Sequence, residues 1–178
     1  MAILNKIEQS IKNGSEPLLC QNNRLPITII DVWAWSASDL MSNATRSRFA
    51  EFIVATATNV DLGIPRQEWE PYDLLTPEGI KIEVKSSAYI QSWHQKQLST
   101  ITFSIKPARY WNSKNGELES IAKRHADIYV MCLLKNMDQN TINPLDLDQW
   151  DFYVLSRPEL DNYKRSQHSI TLKSLENL

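Results

Sequence analysis

Ile80-Lys81-Ile82-Glu83-Val84-Lys85 is a stretch in which apolar and charged residues take turns. Side chains on an extended strand alternate between faces. Ile80, Ile82 and Val84 therefore share one side, and Lys81, Glu83 and Lys85 share the other. The pattern predicts a half-buried β-strand over 80–85. Just upstream, Thr76-Pro77-Glu78-Gly79 has the makeup of a tight turn. Trp69-Glu70-Pro71-Tyr72-Asp73-Leu74-Leu75 leads into that turn as a first strand, so the two strands are expected to pair as an antiparallel hairpin.

The charged face of this hairpin carries the chemistry. Asp73 stands ten positions before Glu83, on the far side of the turn. If Asp73 lies opposite Glu83, both carboxylates and Lys85 leave the same face; a slip of one residue puts the acids on opposite faces. Phosphodiester hydrolysis needs charge neutralisation on the phosphate, a deprotonated water and a stabilised leaving oxygen. Mg²⁺ takes oxygen ligands, usually one or two carboxylates with water and substrate phosphate. Asp73 and Glu83 offer such carboxylates, the Val84 carbonyl offers a third oxygen, and Lys85 offers a cation for the water or the transition state.

A lone [D/E]-x-K triplet is weak evidence, since about one is expected by chance in a chain with 22% charged residues. Glu51 adds weight. It is the polar residue inside Phe49-Ala50-Glu51-Phe52-Ile53-Val54-Ala55, in a predicted helix over 45–58 that Gly63 and Pro65 bring to an end. A carboxylate in such apolar surroundings is costly to bury without a partner, for which a metal or Lys85 would serve.

A helix bearing Ala50-Glu51, followed by a hairpin with Asp73, Glu83 and Lys85, resembles the PD-(D/E)XK nuclease superfamily. That resemblance implies a restriction-endonuclease-like α/β fold, with a central mixed sheet flanked by helices in the order α-β-β-β-α-β. Predicted strands over 99–105 and 126–134 and a predicted helix over 117–124 follow in that order, and the resemblance covers about residues 44–135. By it, Glu51, Asp73, Glu83 and the Val84 carbonyl would bind Mg²⁺, with Mn²⁺ as a substitute, and Lys85 would act in catalysis. The proline expected before the aspartate is displaced: Tyr72 stands there and Pro71 comes one place earlier. The implied function is metal-dependent cleavage of DNA. The alternative is a catalytically silent module that keeps the fold to bind nucleic acid or protein. Cleaving both strands would call for two sites, hence a homodimer.

Nucleic-acid contacts are expected from Ser86 beyond the motif strand, from Gln95 and Lys96, and from Lys106 and Arg109 beside Tyr110 and Trp111. Each has an ordinary reading as a polar turn or loop. With a net charge of −2 and a pI near 5.9, the whole-protein field does not attract phosphate, so the footprint must be local. Lys123-Arg124-His125 reads as a basic helix end favoured by the helix dipole, and the six tryptophans read as core.

The 178 residues suit one domain, with additions on either side of the nuclease-like core. Ile3, Leu4, Ile7 and Ile11 predict an amphipathic helix over 3–12, stopped by Asn13-Gly14. Phe152 begins a further strand over 152–155, and 169–172 a short last one. Cys20 and Cys132 form no C-x-x-C pair, and the histidines show no metal-ligand spacing. No P-loop, dinucleotide fingerprint, signal-peptide pattern or membrane span is present in the sequence, so a cytoplasmic protein is expected.

Overall fold

The computed structural model describes residues 7–113 and 115–178. A hairpin of β1 (Pro17–Cys20) and β2 (Asn23–Thr28) runs into α1 (Ile29–Ala37), and α2 (Asn43–Ala57) follows. The central elements are β3 (Leu74–Leu75), β4 (Lys81–Ala88), β5 (Thr102–Ser104), β6 (Trp111–Asn112), β7 (Glu117–Leu118), β8 (Ile128–Leu134) and β9 (Trp150–Ser156). Then come α3 (Arg157–Asn162), β10 (Ser169–Thr171) and α4 (Leu172–Leu175). Four strands form a mixed sheet in the order β3-β4-β8-β9. β4 runs antiparallel to β3 and parallel to β8, and β9 returns antiparallel to β8. This is the expected mixed α/β architecture.

β8 sits in the middle of the sheet and is apolar throughout because both of its faces are covered. Val130, Cys132 and Leu134 pack with Ala50, Val54 and Ala55 of α2, and Trp150 closes that layer. Tyr129, Met131 and Leu133 face the opposite core with Phe103, Leu155, Leu160, Ile170 and Leu175. β4 divides in the same way. Ile82, Val84 and Ala88 join the α2 core, which leaves Glu83 and Lys85 on the other face. Ala50 is fully buried, and its small side chain lets α2 lie close to the sheet.

α2 ends on a left-handed residue, Asn59 at φ +54. The Val60 amide reaches back to the Ala55 carbonyl at 3.0 Å, and Val60 packs on the core; together these make a Schellman stop. The helix thus closes before Gly63 and Pro65 are reached.

Several expectations are corrected. The helix over 117–124 is absent. Asn115-Gly116 instead turns β6 into β7, with Gly116 at φ +73 and its amide on the Asn112 carbonyl at 2.8 Å. Gly116 supplies the positive φ that this turn needs, and here that use prevails over helix entry. The family-like order therefore lacks its second helix.

Lys123-Arg124-His125 is accordingly no helix end. Arg124 is buried and donates to the Ile105 carbonyl at 3.0 Å and to Asp161 at 2.6 Å. The predicted strand over 99–105 shortens to β5, which pairs with β10 outside the central sheet. Residues after 135 are integral to the fold: β9 extends the sheet, and Leu160, Ile170 and Leu175 fill its second core.

The helix over 3–12 begins in residues outside those described. From Ile7 to Asn13 the chain has no regular structure, and Ile7 and Ile11 are exposed. Of the tryptophans, Trp150 is buried, whereas Trp33, Trp35, Trp69, Trp93 and Trp111 are exposed. Among the described residues no helix is long and apolar enough to cross a membrane.

Candidate active site

The hairpin is shaped by its turn. The Gly79 amide donates to the Thr76 carbonyl at 2.9 Å, and Gly79 sits at φ +85, a conformation that favours glycine. The Thr76 amide donates to the Ile80 carbonyl at 3.0 Å, closing the loop. With that turn fixed, Leu74 pairs with Ile82 and Leu75 with Lys81. The regular ladder ends at Leu74: the Asp73 amide turns onto the Ile82 carbonyl at 3.0 Å, and the Asp73 side chain, rather than the backbone, partners the Val84 amide. Asp73 therefore stands at the β3 edge beside Glu83, close enough for the Glu83 and Lys85 charges to act on its carboxyl.

Asp73 lies deep at the short β3 edge. Its Oδ2 accepts from the Val84 amide at 2.8 Å. Burial, and then the charges of Glu83 and Glu51, push its carboxyl up to about 6, against the pull of the Val84 amide and Lys85. A carboxylate beside two others gives up its proton less readily than a free one. The Lys85 ammonium forms a short ion pair with Glu83, two residues away on the same face. Tyr129, opposite Glu83 across the β4–β8 ladder, is raised to about 12 by burial and by the Glu83 charge, so its phenol stays protonated at neutral pH.

Glu51 comes from α2, on the other side of the sheet, and reaches the site around the β3 edge. It is buried at 7% exposure, and its partner is Arg66 rather than Lys85. Arg66 Nε donates to Glu51 Oε2 in a short bond, and Nη2 donates to Oε1 at 3.1 Å. The same Nη2 lies 3.5 Å from Asp73 Oδ1. The bond to Glu51 raises the Arg66 pKa further, with the Glu51, Asp73 and Glu68 charges adding to it.

Sequence reading missed Arg66. A signal was available, because it lies on the segment joining the Glu51 helix to the Asp73 strand. A cation tethered between two buried acids has little choice of neighbour.

The donor set suits a hard divalent cation. All its side-chain donors are carboxylate oxygens, and one guanidinium already bridges two of the three acids. Among the described residues no three His, Cys, Asp or Glu side chains close into a ready cage. Mg²⁺ needs only one or two carboxylates, so this is no bar.

The expected nucleic-acid contacts scatter. Ser86 is half-buried and shares a 3.2 Å hydrogen bond with Ser47 of α2. Gln95 is committed within its own loop, accepting from the Gln91 amide at 2.7 Å and donating to Ser99 Oγ at 3.0 Å. Lys96, Lys106 and Arg109 are exposed. Trp111 meets Trp69 edge-on with ring centres 5.1 Å apart, which ties the segment after Arg109 to the loop that leads into Asp73.

No curated protein sequence matches this chain. A family model does: that of bacteriophage T4 endonuclease IV, aligned to residues 33–174. The match takes in α2, the whole central sheet and all four site residues, and it extends past both ends of the 44–135 core read from the sequence. The chain belongs to the bacteriophage T4 endonuclease IV family.

Proposed function

We propose that this chain is a metal-dependent endonuclease of the PD-(D/E)XK, restriction-endonuclease-like kind, acting on phosphodiester bonds in DNA. The observation that carries the reading is the juxtaposition of Asp73 with Glu83 and Lys85 at the β3–β4 edge, with Glu51 joined to Asp73 through Arg66. Membership of an endonuclease family supports it independently.

Glu51, Asp73, Glu83 and the Val84 carbonyl would hold Mg²⁺ or Mn²⁺, which supplies charge neutralisation at the scissile phosphate and acidifies a bound water. Asp73 must be ionised to act as a ligand, and with its carboxyl raised to about 6, loading weakens as pH falls through that value. Lys85 holds Glu83 in an ion pair. Its ammonium then donates to the attacking water or to a phosphate oxygen. The exposed Lys96, Lys106 and Arg109 would contact the DNA backbone, and Ser86, within the motif strand itself, would need to exchange its bond to Ser47 to do so. A homodimer would bring two such sites to a duplex.

The test is plasmid nicking and linearisation with Mg²⁺ or Mn²⁺, comparing the wild type with Asp73→Asn and Lys85→Ala. Cleavage by the wild type, lost in both variants, is the expected result. DNA binding without cleavage by the wild type would replace this reading with the silent binding module.

A further inference from the structure

Arg66 is an arginine in a place where the nuclease reading puts a metal. It sits in the segment between α2 and β3, which has no helix or strand and passes through Pro65. One nitrogen lies 3.1 Å from Glu51 Oε1 and 3.5 Å from Asp73 Oδ1. The carboxylates are largely buried, whereas the Arg66 side chain is 42% exposed, so the guanidinium caps the acids from the solvent side. A guanidinium stays charged at any workable pH and leaves an acid pair only by moving. Room to move exists, because Glu51, Asp73 and Arg66 line one cleft of about 600 Å³ with Phe52, Leu62 and Ile64.

We infer that Arg66 works in two positions. With no divalent cation bound, it neutralises Glu51 and Asp73. When cation and substrate arrive, it is displaced from the acids onto a non-bridging oxygen of the scissile phosphate. The inference rests on the nuclease reading of the same site. Its physical basis is the match of charge and shape. A divalent cation outbids a monovalent one for paired carboxylates, and the freed guanidinium fork fits two phosphate oxygens as well as it fits a carboxylate. Sealing the acids with a side chain of the same chain also spares the metal-free protein a cluster of unpaired buried charges.

Mn²⁺ titration by calorimetry of wild type, Arg66→Ala and Arg66→Lys tests the first position; DNA cleavage and DNA affinity with Ca²⁺ in place of Mg²⁺ test the second. Arg66→Ala is expected to bind Mn²⁺ about tenfold more tightly, because a charge-assisted competitor is gone. It is expected to lose about 10²-fold or more in kcat, with weaker DNA binding and partial rescue by Arg66→Lys. Unchanged or weaker Mn²⁺ affinity in a folded Arg66→Ala, with cleavage intact, overturns the inference and leaves the nuclease reading standing. Tighter Mn²⁺ binding with no cleavage of any nucleic acid by the wild type sinks the nuclease reading instead, and keeps Arg66 as a placeholder for the cation. If Arg66→Ala does not fold, Arg66→Gln takes its place, and an affinity no tighter than wild type overturns the inference in the same way.

Discussion

Replacing Asp73 by asparagine should make the protein more stable at pH 8 in the presence of a chelator, while removing its cleavage activity. The Asp73 carboxyl is pushed from an ordinary 3.8 up to about 6, by burial first and by Glu83 and Glu51 next. The folded state therefore binds this proton more tightly than the unfolded chain does. Stability from this group is fully present below about pH 3.8 and is lost as pH rises through about 6. Two pKa units at roughly 1.4 kcal/mol each put the cost of holding Asp73 ionised at about 3 kcal/mol at neutral pH. Asparagine avoids most of it. Its carbonyl can still accept from the Val84 amide, but it forfeits the charge contact with Arg66 at 3.5 Å. A net gain of about 1–2 kcal/mol remains, or about 2–8 °C in Tm for a protein of this size. Thermal melts of both proteins at pH 8 and at pH 4 provide the assay. The gain should shrink toward zero at pH 4, where the wild-type carboxyl is itself protonated. Added Mg²⁺ should raise the wild-type Tm and leave the variant unmoved. A variant that melts lower than wild type at pH 8, or a difference that ignores pH, would refute the argument.

Other outcomes follow from the same geometry. Lys85→Ala should cut cleavage by about 10²–10⁴-fold, yet change stability by less than about 1 kcal/mol, because its pair with Glu83 is partly open to solvent; kinetics and melts on one preparation check both. Ala50→Leu should destabilise by about 1–3 kcal/mol in urea titration, since the fully buried Cβ faces the sheet with no space for added carbons. Arg124→Ala should cost about 2–4 kcal/mol, because it strands the Ile105 carbonyl and removes a buried hub that holds Asp161 and Gln167. Gly116→Ala should cost about 1 kcal/mol through backbone strain alone, as nothing lies within 4 Å of the added carbon.

The parts of the molecule legible in the sequence are those in which one local signal met no rival. Alternation over 80–85 yields β4, the turn at 76–79 yields the hairpin, and the unbroken apolar run before Leu134 yields the central strand. Asn115-Gly116 carried two signals, a helix start and a hairpin turn. The apolar residues after it, Leu118 and Ile121, are exposed, so no core face existed to reward a helix. The tryptophans misled for a related reason. Hydrophobicity alone says what a side chain gains by burial, not whether the chain around it reaches a core, and only Trp150 lies on a strand that does. The register was illegible in principle, since it turns on one residue in a turn; the left-handed Gly79 decided it. Arg66 is the instructive case. Metal-ligand spacing marks the acids of a site, not the base that such acids oblige the chain to keep nearby. Wherever burial brings carboxylates together before any metal is present, a compensating cation on the connecting segment is as much a part of the site as the carboxylates themselves.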